Sequence, residues 1–175
     1  MHTVSETMIT TQQLDEKVAE LAGMIERDFE GEHILLIGVL KGACIFVSDL
    51  MRKINLDVSL DFMSVSSYGN STKSSGVVKI LKDLDMEIEN KNVIIVEDII
   101  DTGLTLKYLT ENLMSRKPKT LKICTLLDKP QRRKCHLDVD YIGFTIEDKF
   151  IVGYGIDYAE LYRNLPYIGV VDKEK

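Results

Sequence analysis

Leu14, Val18, Leu21 and Ile25 recur at spacings of four, three and four, which places them on one face of a helix. Thr10 with Gln13 has the spacing of a capping box for its start. Ile34–Leu40 is a continuous apolar run and reads as a buried strand, followed by a helical pattern over Ala43–Ile54 through Phe46, Val47 and Leu50. Val58, Leu60 and Phe62 alternate with Ser59 and Asp61, so Asp57–Val65 reads as a strand. The polar, small residues of Ser66–Ser75 form a long connection to a second strand at Val77–Leu81. Val93–Val96 is a β-branched strand, Leu104–Ser115 a helix and Thr120–Leu127 another strand. Shorter strands follow at Tyr141–Ile146, Phe150–Tyr154 and Tyr167–Val171, with a helical turn near Tyr158–Arg163. Alternating strands and helices predict an α/β fold with a mostly parallel twisted sheet flanked by helices. The less regular chain ends, the N-terminal segment and about 145–175, are expected to form a small cap on a single domain spanning 1–175.

The composition fits a globular domain: 175 residues, 45% hydrophobic and 29% charged. A net charge of −6 argues against general attraction to nucleic acid, so an anionic substrate needs local cations or metal. No apolar run approaches the roughly 20 residues of a membrane span, and Met1–Thr11 lacks the basic and apolar regions of a signal peptide. Cys44, Cys124 and Cys135 are odd in number and sit in or beside apolar stretches. They read as reduced thiols of a cytoplasmic protein.

The chemistry concentrates where the Val93 strand ends. Glu97, Asp98 and Asp101 follow it, and Thr102, Gly103 and Thr105 open the next helix. Ligands of open α/β sheets bind beyond the carboxyl ends of strands, where a helix presents free N–H groups. The turn suits a phosphate; the acids suit a sugar diol, a divalent cation or a proton transfer. Asp101 and Thr102 alone would equally make an ordinary helix cap. Leu40-Lys41-Gly42 repeats the strand-end geometry, with a lysine able to meet a phosphate; alone it is an ordinary turn with a snorkelling lysine. Lys129 lies at the end of the Thr120 strand, and Phe150, Asp157 and Arg163 follow downstream. A planar base needs an apolar face such as Phe150 and an edge donor such as Lys129. Ser67 and Tyr68 lie in the long connection, where a lid would exclude water.

The segment Val93–Thr105, a hydrophobic strand, two acids and a Thr-Gly-x-Thr turn, resembles the phosphoribosyl-pyrophosphate motif of the type I phosphoribosyltransferases. With Leu40-Lys41-Gly42, Ser67-Tyr68, Lys129 and Phe150–Arg163 in order, the chain is similar to the hypoxanthine (hypoxanthine-guanine) branch of that family over residues 8 to 171. The resemblance implies the family's fold and transfer of 5-phosphoribosyl from phosphoribosyl pyrophosphate to a 6-oxopurine, hypoxanthine or guanine. It implies purine salvage to IMP or GMP plus pyrophosphate, with Mg2+ as cofactor and a homodimer or homotetramer. Asp101 would be the general base at purine N7, and Glu97 and Asp98 would bind the ribose hydroxyls and magnesium. Asp101, Thr102, Gly103, Leu104 and Thr105 would cradle the 5′-phosphate, Leu104 through its N–H alone. Lys41 and Gly42, joined to Leu40 by a cis peptide in the family, would bind pyrophosphate with Arg163. Lys129 would donate to the purine O6, Phe150 would stack on the ring and Ile151 would contact it through backbone. Asp157 would complete the base or metal site, and Ser67 and Tyr68 would belong to the lid. The step Ile146-Glu147-Asp148 stands where relatives often have proline. An RNA-binding regulator on the same fold is the main rival; acidic net charge and the retained Asp101 count against it. A phosphate-receiver domain also clusters acids at strand ends, but needs neither the lid nor the Phe150–Arg163 segment.

Overall fold

A computed structural model of the chain describes residues 4–67 and 78–172. Its elements run β1 (Val4–Ile9), α1 (Thr11–Asp28), β2 (Ile34–Leu40), α2 (Cys44–Lys53), β3 (Val58–Ser67) and β4 (Val78–Lys82). They continue with β5 (Asn92–Ile100), α3 (Leu104–Met114), β6 (Thr120–Asp128), a 3-10 turn (Pro130–Arg132), β7 (Tyr141–Thr145), β8 (Ile151–Val152) and β9 (Ile168–Val171). The main sheet has the order β4-β3-β2-β5-β6-β7. All its pairings are parallel except β3 with β4.

The apolar strands are continuous because both sheet faces are covered. Strand alternation sorts them: Ile34, Leu36, Ile94, Val96, Cys124 and Leu126 share a core with α1 and α2. Leu35, Ile37, Val93, Ile95 and Ile123 pack with Leu106, Leu109 and Leu113 of α3. Each fully buried aliphatic side chain contributes roughly 1.5–3 kcal/mol, so the two cores fix the register of the sheet. The predicted capping box is present: Gln13 N–H donates to Thr10 Oγ1 at 3.2 Å, and Thr10 N–H to Gln13 Oε1 at 2.8 Å. The chain ends meet in a second, antiparallel sheet of order β1-β9-β8.

Three local expectations change. β5 does not stop at Val96 but continues through Glu97 and Asp98 to Ile100, because β6 keeps pairing with it. The helical turn expected near Tyr158–Arg163 is instead irregular. Ala159, Glu160 and Tyr162 have positive φ, and Tyr158 bridges Leu161. The strand expected over Phe150–Tyr154 shortens to Ile151–Val152, because Gly153 and Tyr154 take positive φ.

Candidate active site

From β2 the chain builds outward to β3 and β4, then returns to place β5 on the other side of β2. This reversal of strand order is where open α/β sheets bind ligands. Pairing between β2 and β5 ends at Gly38–Val96. Beyond it β5 pairs only with β6, at Glu97–Thr125, Ile99–Leu127 and Ile100–Asp128. A crevice therefore opens at the carboxyl ends of β2 and β5. The Leu40–Lys41 peptide at its edge is cis. Gly42 follows, and a Cβ there would lie 1.7 Å from Asp98 Oδ2. Only glycine lets this turn close on the β5 acids. Gly155 in turn packs on the Gly42 carbonyl, since a Cβ at Gly155 would lie 2.2 Å from it.

Glu97 and Asp98 succeed one another on a strand, which would send their side chains to opposite faces. At this edge of β5 the two carboxyls nonetheless act on each other electrostatically. Desolvation pushes the Asp98 carboxyl up to about 6, against its hydrogen bond from the Ile99 N–H at 2.7 Å and the field of Arg163. Glu97 is raised well above the ordinary range by desolvation, then by the neighbouring Asp98 charge and hydrogen bond. A desolvated carboxylate pair is costly by itself and suits a divalent cation. Among the described residues no cluster of three or more His, Cys, Asp or Glu could hold a metal unaided. Magnesium is usually held by one or two carboxylates with substrate oxygens and water, so this pair fits it.

The turn after β5 leads into α3 through Gly103, whose φ of 81° is a left-handed value natural to glycine. Among the described residues no side chain caps the helix, and its first N–H groups stay available apart from a 3.4 Å bond from Leu104 N–H to Thr102 Oγ1. A cavity of about 170 Å³ lies at this turn, lined by Glu97, Asp101, Thr102, Gly103 and Thr105 among others. Helix N-terminus, hydroxyls and small volume together make an anion cradle.

A larger cavity of about 610 Å³ lies beside it. Lys129, Phe150, Asp148, Arg132 and Asp101 line one part, and the ends of β1 and β9 another. Lys129 is buried, donating to the Lys149 carbonyl at 2.7 Å and facing Asp148 Oδ1 at 3.4 Å. Phe150 meets Tyr158 edge to face, ring centres 5.1 Å apart. Ile151 is buried, paired with Val170 of β9. Asp101 accepts from Arg132 Nε at 2.9 Å, and Arg132 Nη1 also faces Asp148 at 3.5 Å. Of the predicted residues among those described, Asp101 alone lines both cavities.

Lys41, Asp157 and Arg163 come together on the other side of Gly42. Arg163 Nη1 donates to the Gly155 carbonyl at 2.8 Å, and its Nη2 lies 3.2 Å from Asp157 Oδ1. Ser67 ends β3, and its side chain, with Tyr68 and most of the expected lid, lies outside the described residues.

Several site residues had no sequence motif to mark them. Arg132 and Arg133 lie in the short turn after Lys129, and Asp148 in the departure at 146–148. Arg133 pairs with Asp128, and its buried Nη1 has no hydrogen-bond partner among the described residues. It backs the phosphate-type turn, since a Cβ at Gly103 would lie 2.9 Å from Arg133 Cδ. Proximity to Lys129 was the only available hint.

A model of the phosphoribosyl transferase domain family matches residues 6–159. The chain belongs to this family. Among its relatives, the hypoxanthine-guanine phosphoribosyltransferase of Bacillus subtilis is 52% identical over 97% of this chain and 94% of that protein. A crystal structure of the hypoxanthine-guanine phosphoribosyltransferase of Bacillus anthracis is 59% identical and superimposes with a TM-score of 0.94, covering 97% of this chain and 100% of that one. The bifunctional protein TilS/HprT of Listeria monocytogenes is 48% identical over 98% of this chain, which spans about a quarter, 26%, of that longer protein.

Proposed function

We propose that the chain transfers the 5-phosphoribosyl group of phosphoribosyl pyrophosphate to hypoxanthine and guanine, giving IMP and GMP with release of pyrophosphate. The observation that carries this reading is Asp101, which faces a phosphate-sized cradle on one side and a purine-sized cavity on the other. A reaction joining a ring nitrogen to a phosphorylated sugar must occur where two such cavities meet.

The parts follow from that junction. N–H and hydroxyl groups of Asp101–Thr105 hold the 5′-phosphate at the α3 N-terminus. The purine enters the larger cavity, stacked on Phe150, with Ile151 contacting it through backbone. Lys129 donates to its 6-oxo group; lysine has no acceptor, so the amino group of adenine is unmatched there. As the ring nitrogen attacks the anomeric carbon, the bond to pyrophosphate breaks with its electron pair leaving on pyrophosphate, and Asp101, as general base, takes the proton from N7. The Asp101 carboxylate accepts from Arg132; such bonds commonly re-form on substrates when the complex assembles. Glu97 and Asp98 bind the ribose hydroxyls and would hold magnesium, which would supply charge stabilisation for the leaving group. Lys41, the Gly42 backbone and Arg163 receive the pyrophosphate, with Asp157 orienting Arg163.

No helix among the described residues is long and apolar enough to cross a membrane. Cys44, Cys124 and Cys135 are all free thiols, in keeping with a reducing, cytoplasmic location. The assembly is a homodimer or homotetramer, which light scattering will distinguish from a monomer. The deciding experiment offers hypoxanthine, guanine, xanthine and adenine side by side, with phosphoribosyl pyrophosphate and magnesium. Turnover is expected on hypoxanthine and guanine; none on either would refute the assignment.

A further inference from the structure

The cations assigned to pyrophosphate are already bridged by an anion of the protein's own. Glu160 Oε2 lies 2.8 Å from Lys41 Nζ, and Glu160 Oε1 lies 3.4 Å from Arg163 Nη2. Each oxygen of one carboxylate thus meets a different cation, from segments far apart in sequence. The placement is held locally: Glu160 has φ 65°, and its N–H donates to Asp157 Oδ2 at 2.8 Å. Asp157 also braces Arg163. The two cations and two carboxylates form a group of zero formal charge. A pyrophosphate arriving between Lys41 and Arg163 meets an occupied position.

We propose that Glu160 is an affinity-determining residue of the pyrophosphate subsite, an internal anion that yields Lys41 and Arg163 to pyrophosphate and reclaims them as it leaves. The inference rests on the reading that Lys41 and Arg163 receive pyrophosphate. The geometry suits exchange, not permanent closure. The Lys41 and Glu160 side chains are 66% and 65% exposed, so the pair separates at small cost. Arg163, 24% exposed and anchored on Gly155, stays in place for the incoming ligand. The Lys41 contact keeps the Glu160 carboxyl ionised to lower pH than usual, so the competitor is present throughout the working range. Glu160 touches no reacting atom; its effect falls on binding and release of the phosphate chain.

The test compares wild type with Glu160→Gln and Lys41→Ala, titrating each with magnesium pyrophosphate by calorimetry and measuring KM for phosphoribosyl pyrophosphate and for hypoxanthine. Glu160→Gln should bind pyrophosphate roughly two- to fivefold tighter, the scale of an exposed ion pair removed from competition. KM for phosphoribosyl pyrophosphate should fall in parallel, while KM for hypoxanthine is unchanged. Lys41→Ala should bind pyrophosphate more weakly. Unchanged or weaker pyrophosphate binding in Glu160→Gln, with the Lys41→Ala loss intact, overturns the role of Glu160 alone. No loss in Lys41→Ala overturns the pyrophosphate assignment beneath it.

Discussion

Replacing Gly42 with alanine tests how tightly the two halves of the site are fitted. The added Cβ would lie 1.7 Å from Asp98 Oδ2 and 2.7 Å from its Cγ, whereas ordinary contact begins at 3.4 Å. Either the turn or the carboxyl must retreat by about 1.7 Å. The turn has little room, because Gly155 is pressed against the Gly42 carbonyl on its other side. Asp98 is the group that gives way. Misplacing a substrate-positioning group by about 1 Å costs on the order of 10²-fold. The expected loss in kcat/KM for phosphoribosyl pyrophosphate is therefore at least about 100-fold, or about 2.7 kcal/mol of transition-state stabilisation. The melting temperature should move by only a few degrees, since no core side chain is disturbed. Steady-state kinetics with hypoxanthine in excess, together with a thermal melt, measures both. Gly23→Ala is the control: it lies within α1, and its nearest atom is Arg27 Nη1 at an ordinary 3.6 Å. That variant should gain up to about 1 kcal/mol in stability with activity unchanged. Wild-type kcat/KM in Gly42→Ala would refute the fitted-turn argument.

Asp101→Asn should lower turnover by roughly 10²–10⁴-fold while substrates still bind; full activity in single-turnover assays removes Asp101 from the proton's path. Lys129→Ala should lose preference for 6-oxopurines, read as the ratio of kcat/KM for hypoxanthine over adenine, and an unchanged ratio contradicts its role. Asp98 carries a proton in the folded state up to about pH 6, above its ordinary 3.8, so the folded protein binds more protons than the unfolded one between those values. Metal-free protein should lose stability as pH rises through that window. Asp98→Asn should flatten that slope and raise the metal-free melting temperature at pH 7 while impairing catalysis; a steeper slope or lower melting temperature counts against the desolvated pair.

What could be read from the sequence was whatever a local pattern encodes. The apolar periodicities at Leu14–Ile25 and Ile34–Leu40, and the cap at Thr10, place helices and strands because burial and capping are short-range rules. The turn at Asp101–Thr105 that opens α3 was legible because its hydroxyls and glycine are contiguous in the chain. The extent of β5 was not, because Glu97–Ile100 remain a strand through pairing with β6, a partner more than 20 residues away. The segment at Tyr158–Arg163 looked helical by spacing, yet positive φ at Ala159, Glu160 and Tyr162 follows from Arg163 reaching back to Gly155 and Asp157. Arg132, Asp148 and Glu160 are ordinary surface charges in sequence. Only the fold shows that each stands opposite a residue of the site.

The outer wall of the larger cavity comes from residues near the two ends of the chain: Ser5 and Glu6 on β1, Val170, Val171 and Asp172 at β9. For anyone engineering this protein, neither end is a neutral handle. Trimming Val4–Ile9 removes part of that wall together with the partner strand of β9. Insertions meant to leave that wall intact belong elsewhere on the surface, for instance at the connection between α3 and β6, which does not line this cavity.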